Sequence, residues 1–495
     1  MDPSRNGPWW TRLARAAFTL DARSLAVYRI ALGAVVCADC ASRFRDFDLM
    51  FAIDGVFPPD VVRRQLGGST AWSLAWLHDS TAWNAAVLAL EGVAGVLLAA
   101  GVATRLATAL AWLAVVSVYR RTYPAANAGD AWLACQLFWS MFIPLGACWS
   151  WDALRRGRAG PQAACCSVAT AALVLQLVAV YASAGIAKCN ATWLDGAAVA
   201  NALSVHNFGS TLGMAWADAG VFGRPAAWAV VLLELAVPPL LILRPAPRVR
   251  LAAAAAFVAF HAAIWLFMSV GLFVPISLAA WLPMLPAQAW DRGRSPAAGA
   301  AATGLPRPAA WACTAGMAVA AASLVHARWR GGPPPAPLAA VVNLTAQHQD
   351  WPMFGTVPPV EQGVYARAVL ADGAVVDLMR GGRQCGSGLA ADGFTSLPHH
   401  RWHKLCWVLA APGSHDLGVA VAAGLARRWN AAHAPDVAVR SVEIRHAVQR
   451  RGDSAAGEYE HIVACWPERT PAGGGNLERF LQATAPSSAA ADEMR

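Results

Sequence analysis

The chain has 495 residues, of which 57% are hydrophobic and only 14% charged, with a mean hydropathy of +0.40 and a net charge of +9. Soluble domains average about 25% charged residues, so this composition excludes an ordinary soluble protein. The positive charge lies mainly in short loops between apolar segments, which indicates orientation in a membrane rather than binding to nucleic acid.

The first 330 residues predict an N-terminal segment followed by an α-helical, polytopic membrane domain. Residues 1–22 are amphipathic and lack the apolar core and cleavage site of a secretory signal. Between residues 23 and 330, apolar stretches close to the roughly 20 residues that cross a bilayer recur in series. We predict about nine spans: Ser24–Ala41, Trp83–Val102, Leu106–Tyr119, Ala131–Trp149, Ala164–Ala187, Ala226–Leu243, Leu251–Met268, Leu272–Trp290 and Ala309–Val325.

Arginines in the loops predict the orientation of these spans. Most loop arginines fall on one side if the crossings alternate, and the positive-inside rule makes that side cytoplasmic. The exceptions are Arg63, Arg64, Arg120 and Arg121. With nine spans, the N-terminus is cytoplasmic and the C-terminal part extracytoplasmic. The abundance of alanine, glycine and arginine over lysine is typical of a GC-rich bacterial genome, so we expect the inner (plasma) membrane of a bacterium.

The C-terminal part predicts a soluble, mixed α/β domain over residues 337–495, with a disordered end, behind a Gly/Pro linker at 331–336. Alternating apolar residues around a turn at Asp372-Gly373 predict a β-hairpin. The predicted elements are strands at Val364–Leu370 and Ala374–Met379, helices at His400–Leu409 and Val419–Asn430, and strands at Val437–Val448 and Glu458–Trp466. His399, His403 and Cys406 share one helical face, but without a fourth ligand we interpret them as core residues and predict no metal site.

Ionisable residues inside apolar segments are costly and usually face the interior of a helix bundle. Arg29, near the cytoplasmic end of the first span, either snorkels to the interface or forms an internal ion pair. Glu234, midway along its span, is too short to snorkel, so a paired structural carboxylate is expected. His261, within the next span, is either a hydrogen-bonded packing residue or a catalytic group.

Lys188 follows the apolar run Leu173–Ala187 and is one of very few lysines in a chain that elsewhere uses arginine as its cation. A desolvated lysine has a lowered pKa and can act as a base, whereas arginine keeps its proton. The alternative is that Lys188 snorkels to the outer interface. If it is a base, Lys188 and His261 are expected to line one outward-opening cavity, with Trp193 walling that cavity against water.

Several segments together resemble the horizontally transferred transmembrane domain (HTTM) family, which includes the vitamin K-dependent γ-carboxylases. The order and spacing of the segments carry the resemblance more than any single motif. They are Leu20–Gly33, Asp54–Pro58, Gly129–Asp152, Ala184–Lys188 with Trp193 and Gly196, His261 with Gly271–Phe273, Trp351–Phe354, Asp372-Gly373 with Asp377, Arg401-Trp402 and Arg427–Asn430.

The resemblance implies a membrane enzyme that couples quinol oxidation or epoxidation to carboxylation, or another modification, of a secreted peptide. In the carboxylases, the lysine that Lys188 matches deprotonates reduced vitamin K. Oxygen then converts the quinol to a strong base, which removes a γ-proton from a peptide glutamate before CO2 adds. The implied co-substrates are therefore reduced vitamin K or another quinol, O2 and CO2, and the implied partners are the lipid membrane and a secreted peptide.

The resemblance also assigns roles to individual residues. Lys188 and His261 are the expected catalytic pair, and Trp193 is expected at the cofactor. At the start of the fourth span, where the animal carboxylases carry a functional histidine, this chain has Asp130, which we also expect at the cofactor. Arg29 and Glu234 remain structural intramembrane charges. The alternative function is a non-carboxylating membrane protein for maturation or export of a secreted peptide.

Overall fold

The computed structural model describes residues 8–66, 70–157, 164–204, 208–291, 305–329, 334–357, 359–386, 388–390, 393–450 and 458–468. The predicted linker at 331–336 is described only from residue 334. The predicted disordered end of the C-terminal domain lies outside the described residues, the last of which is residue 468.

Helices make up most of the described chain. In chain order they are α1 Trp9–Phe18, α2 Ala22–Phe44, α3 Pro59–Gln65, α4 Thr81–Ala100, α5 Thr104–Arg121, α6 Ala128–Ser140, α7 Trp151–Arg155, α8 Val168–Ala187, α9 Ala191–Leu194, α10 Ala197–Ala202, α11 Thr211–Asp218, α12 Arg224–Leu243, α13 Pro247–Phe267, α14 Phe273–Trp281, α15 Gln288–Asp291, α16 Arg307–Trp329, α17 Ala336–Thr345, α18 His400–Ala410 and α19 His415–Ala432. Among the described residues, six of them are long and apolar enough to cross a membrane: α2, α4, α8, α12, α13 and α16. The chain is therefore a polytopic helical membrane protein.

Three predicted spans fall on helices outside this set of six, so the count of nine stays a prediction. Helix α5 runs through the third predicted span and ends in two arginines. The fourth span was predicted too long: α6 has 13 residues and ends at Ser140, because a turn around Pro144 follows. The eighth was also too long, since α14 has nine residues and passes at Leu282–Met284 into a 3₁₀ turn that contains Pro283.

Helices α2 and α4 cross closely because glycines face each other at the crossing. A Cβ atom on Gly33 would lie 2.6 Å from the backbone nitrogen of Ala99 and 2.7 Å from the carbonyl oxygen of Gly95. Small residues at such a crossing let helix backbones approach, and dispersion contacts then replace the missing hydrophobic drive in lipid. The main core cluster of the protein extends from this crossing through α5, α6 and α8.

The C-terminal domain is an antiparallel sheet with two helices packed on it. The strands are β1 Val360–Leu370, β2 Val375–Asp377, β3 Arg383–Gln384, β4 Val439–Arg450 and β5 Glu458–Trp466, in the order β3-β2-β1-β4-β5. The predicted hairpin, both predicted helices and the second predicted strand pair are confirmed, with Arg367 opposite Asp377 in the hairpin. Apolar and polar residues alternate along these strands because one face of the sheet packs against α18 and α19, and this alternation made the strands predictable.

The C-terminal domain is docked on the membrane domain rather than tethered to it. One apolar cluster joins Val56 and Phe57, in the first long loop, to Leu425 of α19 and Ile444 of β4. The guanidinium of Arg427 on α19 donates to the carbonyl oxygen of Asp54 at 3.0 Å. The turn around Asp54 is therefore part of the surface on which the C-terminal domain packs.

Two of the arginines that opposed the predicted orientation have a structural role. Arg120 and Arg121, at the end of α5, are 1% and 0% exposed. Arg121 donates to the carbonyl oxygens of Phe57 and Phe51 at 2.7 and 3.0 Å, and Arg120 donates to that of Trp72 at 2.8 Å. These guanidinium groups hold loop backbone in place, so their charge is a poor indicator of orientation.

Candidate functional site

Lys188 lies at the C-terminal cap of α8 and is buried, with 2% of its surface exposed. Its ammonium donates to Glu234 Oε2 at 2.8 Å, to the carbonyl oxygen of Met353 at 2.7 Å and, more weakly, to that of Ala184 at 3.4 Å. All three ammonium protons therefore have an acceptor, which a snorkelling lysine would find in water instead. The structure places Lys188 in the interior.

Glu234 of α12 is the ionic partner of Lys188, and its side chain is 5% exposed. Buried charges in a membrane domain are expected to pair, and the two helices that carry this pair pack against each other. A further buried carboxylate, Glu91 on α4, has no hydrogen-bond partner at either oxygen among the described residues. The Lys188–Glu234 pair therefore joins two residues that sequence analysis had given separate roles.

Residues 347–357, called the strap here, run from α17 toward the sheet and complete the surroundings of Lys188. The strap contributes mainly backbone carbonyl oxygens. They accept hydrogen bonds from Lys188 Nζ to Met353 (2.7 Å), from Trp193 Nε1 to Phe354 (2.8 Å) and from Asn190 Nδ2 to Gly355 (2.7 Å). Loop backbone buried in the protein needs such partners, because it has no hydrogen-bond ladder of its own.

A buried amide pair anchors the strap to α8. Gln349 Nε2 donates to Gln176 Oε1 at 3.0 Å, and Gln176 Nε2 donates back to Gln349 Oε1 at 2.7 Å. The indole of Trp351 donates to the same Gln349 oxygen at 2.8 Å. This fully satisfied polar cluster fixes the register of the strap, and with it the position of the Met353 carbonyl under Lys188.

An apolar cavity of about 190 Å³ lies between α12 and α13, with Lys188, Trp193, Glu234 and His261 in its wall. We call it the lysine cavity. The remaining wall is almost wholly aliphatic and aromatic. It includes Ala263, which is exposed on the outside of the helical domain. A ligand of the lysine cavity would thus meet one ionic pair in an otherwise apolar space that is not sealed from the lipid-facing surface.

His261 is held by hydrogen bonds at both ring nitrogens. Its Nδ1 lies 2.7 Å from the carbonyl oxygen of Phe257, so Nδ1 carries the proton. Its Nε2 lies 3.2 Å from the hydroxyl of Tyr181, which also accepts the indole N–H of Trp281 at 3.1 Å. The Tyr181 hydroxyl therefore donates to His261. The ring of His261 lines the cavity with both of its nitrogens already hydrogen-bonded. To transfer a proton to or from a ligand, His261 would have to break one of these two hydrogen bonds.

Asp130 does not line the lysine cavity; it lies in a buried charge cluster between the two domains. Arg43 of α2 donates to Asp130 at 2.5 Å and to Asp39 at 2.8 Å. Arg401 of α18 donates to Asp39 at 2.5 Å and to Asp130 at 3.3 Å. Two guanidinium groups thus occupy the Asp130 carboxylate, so its expected contact with a cofactor has no support in this geometry.

Arg29 lies in the interior of the helical domain and is 1% exposed. Its Nη2 donates to the carbonyl oxygen of Trp149 at 2.6 Å. The guanidinium also fills the space beside Gly101, where a Cβ atom would lie 1.7 Å from Nη1. Arg29 therefore stabilises the turn that follows α4. It does not line the lysine cavity, which fits the structural role expected for this charge.

Sequence analysis missed the strap, Tyr181 and the buried arginines of the charge cluster. The segment Trp351–Phe354 had been noted only as a motif of the resemblance. Its four residues, Trp-Pro-Met-Phe, have no periodicity that would place backbone at Lys188. Arg401 had likewise been noted only as part of a motif of the resemblance, and Arg43 was not singled out, because nothing in their local sequence shows that they face one another.

The fold and the site define a polytopic helical membrane protein with a buried lysine–glutamate pair in an apolar cavity. The family model of the HTTM domain matches residues 18–290, more than half of the chain, and the chain belongs to this family. The matched region carries Lys188, Glu234 and His261, while the strap and the sheet follow it. No curated protein matches the chain, and neither does any solved structure.

Proposed function

We propose that the chain is a membrane enzyme resembling the vitamin K-dependent γ-carboxylases, in which Lys188 takes the proton of reduced vitamin K or another quinol. The observation that carries this proposal is the buried amine of Lys188 in the wall of an apolar cavity. Arginine is the common cation of this chain, so a lysine there points to a group that must give up and regain a proton.

The residues of the lysine cavity fit a quinol. A quinol is an aromatic ring with hydroxyl groups and partitions into lipid, and the cavity pairs apolar walls with one polar end. Phe260 and Phe273 offer ring faces, while Lys188 and Glu234 offer the polar end. With O2, the quinol supplies the strong base that the family's chemistry requires, and CO2 is the group that is added.

Glu234 gives Lys188 a way to become neutral. At 2.8 Å, one proton can move from the ammonium to the carboxylate, which leaves a neutral amine and a neutral acid. A low-dielectric site disfavours two separated charges, so the neutral pair is accessible there. The amine of Lys188 then takes the quinol proton, and Glu234 keeps the proton that Lys188 released. Lys188 and Glu234 act as one acid–base unit.

Other residues position this unit and keep water out. The indole of Trp193 lies with its ring centroid 5.3 Å from Lys188 Nζ and covers the amine. The hydrogen bonds through Tyr181 fix the ring of His261 in the cavity wall. A water-poor pocket strengthens electrostatic interactions and protects a strong base from being quenched.

The proposal includes the orientation drawn from the loop charges. We place the chain in the inner membrane of a bacterium, with nine spans, a cytoplasmic N-terminus and an extracytoplasmic C-terminal domain. Lys188 then lies toward the outer side, where a secreted peptide can reach it.

The test is quinol oxidation by the purified full chain in lipid nanodiscs. Lys188→Met and Lys188→Arg should each lower the rate by about 10²-fold or more, the usual contribution of a general base. Glu234→Gln should lower it less, because the amine remains. Arg224→Met, which removes an exposed pair with Asp195 at 3.6 Å, is the matched control and should keep the wild-type rate.

Thermal unfolding separates chemistry from folding, because Lys188→Met leaves Glu234 buried without its partner. The double variant Lys188→Met, Glu234→Met removes both charges and should fold but not turn over quinol. Wild-type quinol turnover by Lys188→Arg would overturn the proposal.

One observation favours a function without carboxylation. Asp130, where the animal carboxylases carry a histidine, is paired with Arg43 and Arg401 and does not face the lysine cavity. Incorporation of labelled CO2 into a glutamate peptide distinguishes the two functions. Quinol turnover with no incorporation would favour another step in the maturation or export of a secreted peptide.

A further inference from the structure

A second cavity, of about 360 Å³, lies beside the lysine cavity, and we call it the interface cavity. Phe273, Met353 and Phe354 line both cavities and so form a shared wall. The interface cavity lies where the C-terminal domain meets the membrane domain: Asn127 and Gly129 come from the start of α6, and His400 and Lys404 come from α18.

Lysine is rare enough in this chain for its positions to be informative. Of the 39 lysine and arginine residues, two are lysine: Lys188 and Lys404. Each lines one of the two adjacent cavities. Within the described part of the chain, Lys404 has no ion pair and no hydrogen bond, so its charge is available to a ligand.

Side-chain donors border the interface cavity. Besides the Lys404 ammonium, they include the amide Nδ2 of Asn127, whose oxygen is used to cap α6 by accepting from Gly129 N at 2.8 Å. No carboxylate belongs to the described lining of the cavity. The nearest acidic residue in sequence, Asp130, is held by Arg43 and Arg401. An anion is the ligand that such a set of donors recognises.

The rest of the wall is aromatic. Phe208 stacks on Trp407 with ring centroids 5.9 Å apart and meets Phe354 edge-on at 5.2 Å. Gly271, at φ +58°, brings the α13–α14 turn onto the ring of His400, and a Cβ atom there would lie 2.3 Å from that ring. The ligand must therefore join an anionic group to an apolar stem.

We propose that the interface cavity binds the peptide substrate through a carboxylate-bearing side chain. The carboxylate lies on Lys404 and Asn127, and the methylene stem of the side chain runs along the wall shared with the lysine cavity. The role of this peptide as acceptor rests on the proposed function; its binding does not. A glutamate held there has its methylene carbon next to the wall behind which the quinol is proposed to react.

The test measures binding without turnover, on the full chain in phosphatidylcholine nanodiscs without quinol. The probes are two blocked tripeptides that differ only in a central glutamate or glutamine, with affinity read by calorimetry. We expect the glutamate peptide to bind at least tenfold more tightly. Lys404→Met, which keeps the stem and removes the charge, should abolish this preference, and Lys404→Arg should retain it. Arg428→Met, on exposed surface of α19, is the charge-matched control and should change nothing.

Equal affinity for the two peptides, or a preference that survives Lys404→Met, would overturn the assignment. Replacing the lipid by phosphatidylglycerol tests the other source of an anionic group. If that lipid displaces the glutamate peptide and Lys404→Met removes the displacement, the cavity holds a lipid headgroup and the peptide assignment fails. Glutamate binding that persists in a chain unable to oxidise quinol would refute the proposed function and leave the cavity assigned.

Discussion

Removing Arg401 should loosen the C-terminal domain from the membrane domain. Arg401 pairs with Asp39 at 2.5 Å and with Asp130 at 3.3 Å, and all three side chains are at most 5% exposed. Arg401→Met keeps the length of the stem but leaves two buried carboxylates with Arg43 as their remaining guanidinium partner. Breaking a buried pair from one side costs about 3–5 kcal/mol, because the other charge stays desolvated. We expect the free energy of unfolding to fall by about this amount.

The assay is denaturant unfolding of the full chain in detergent, followed by tryptophan fluorescence. Arg224→Met is the control, because Arg224 and Asp195 lie 3.6 Å apart with side chains 61% and 69% exposed. Exposed pairs contribute about 0–1 kcal/mol, so this variant should unfold almost like the wild type. If Arg401→Met were no less stable than the control, the charge cluster would not hold the domains together.

Two further predictions concern pH and topology. Burial lowers the pKa of His400 to about 3 and those of His403 and His446 to about 4, whereas an unfolded histidine titrates near about 6.5. Below that value the unfolded state therefore binds more protons than the folded state, so the unfolding midpoint of the C-terminal domain should be highest above about pH 6.5 and fall toward pH 4. His446→Leu should make this fall smaller. A midpoint that does not depend on pH would contradict the prediction. A phosphatase fused after residue 468 should be active and one fused at residue 156 inactive, and the reverse pattern would refute the predicted orientation.

The long helices and the strands could be read from local sequence because each has a period or a length that physics fixes. About 20 apolar residues give a span such as Val168–Ala187, and alternation gives a strand such as Glu458–Trp466. The same rule overextended the fourth and eighth spans. Hydropathy reads Met141–Trp149 as apolar, but the turn at Pro144 ends the helix however apolar its surroundings are.

The candidate site was predictable in its residue types and not in its contacts. Lys188 and Glu234 each stood out because a charge at apolar depth needs a partner, yet 46 positions separate them. Only the packing of α8 on α12 identifies one as the partner of the other. The expected place of Asp130 depended on alignment with a histidine of the carboxylases, and sequence position alone did not show that Arg401, 271 residues later, would occupy it.

The strap has a consequence for how the protein is made. Synthesis runs from the N-terminus, so α8 and α12 can insert and pair before residue 353 exists. Until then, the ammonium of Lys188 lacks the carbonyl of Met353, and Trp193 lacks that of Phe354. The site is thus finished late in translation. Because the strap supplies backbone oxygens, most side chains along it can change without altering what Lys188 receives, provided that the anchor at Gln349 keeps the register.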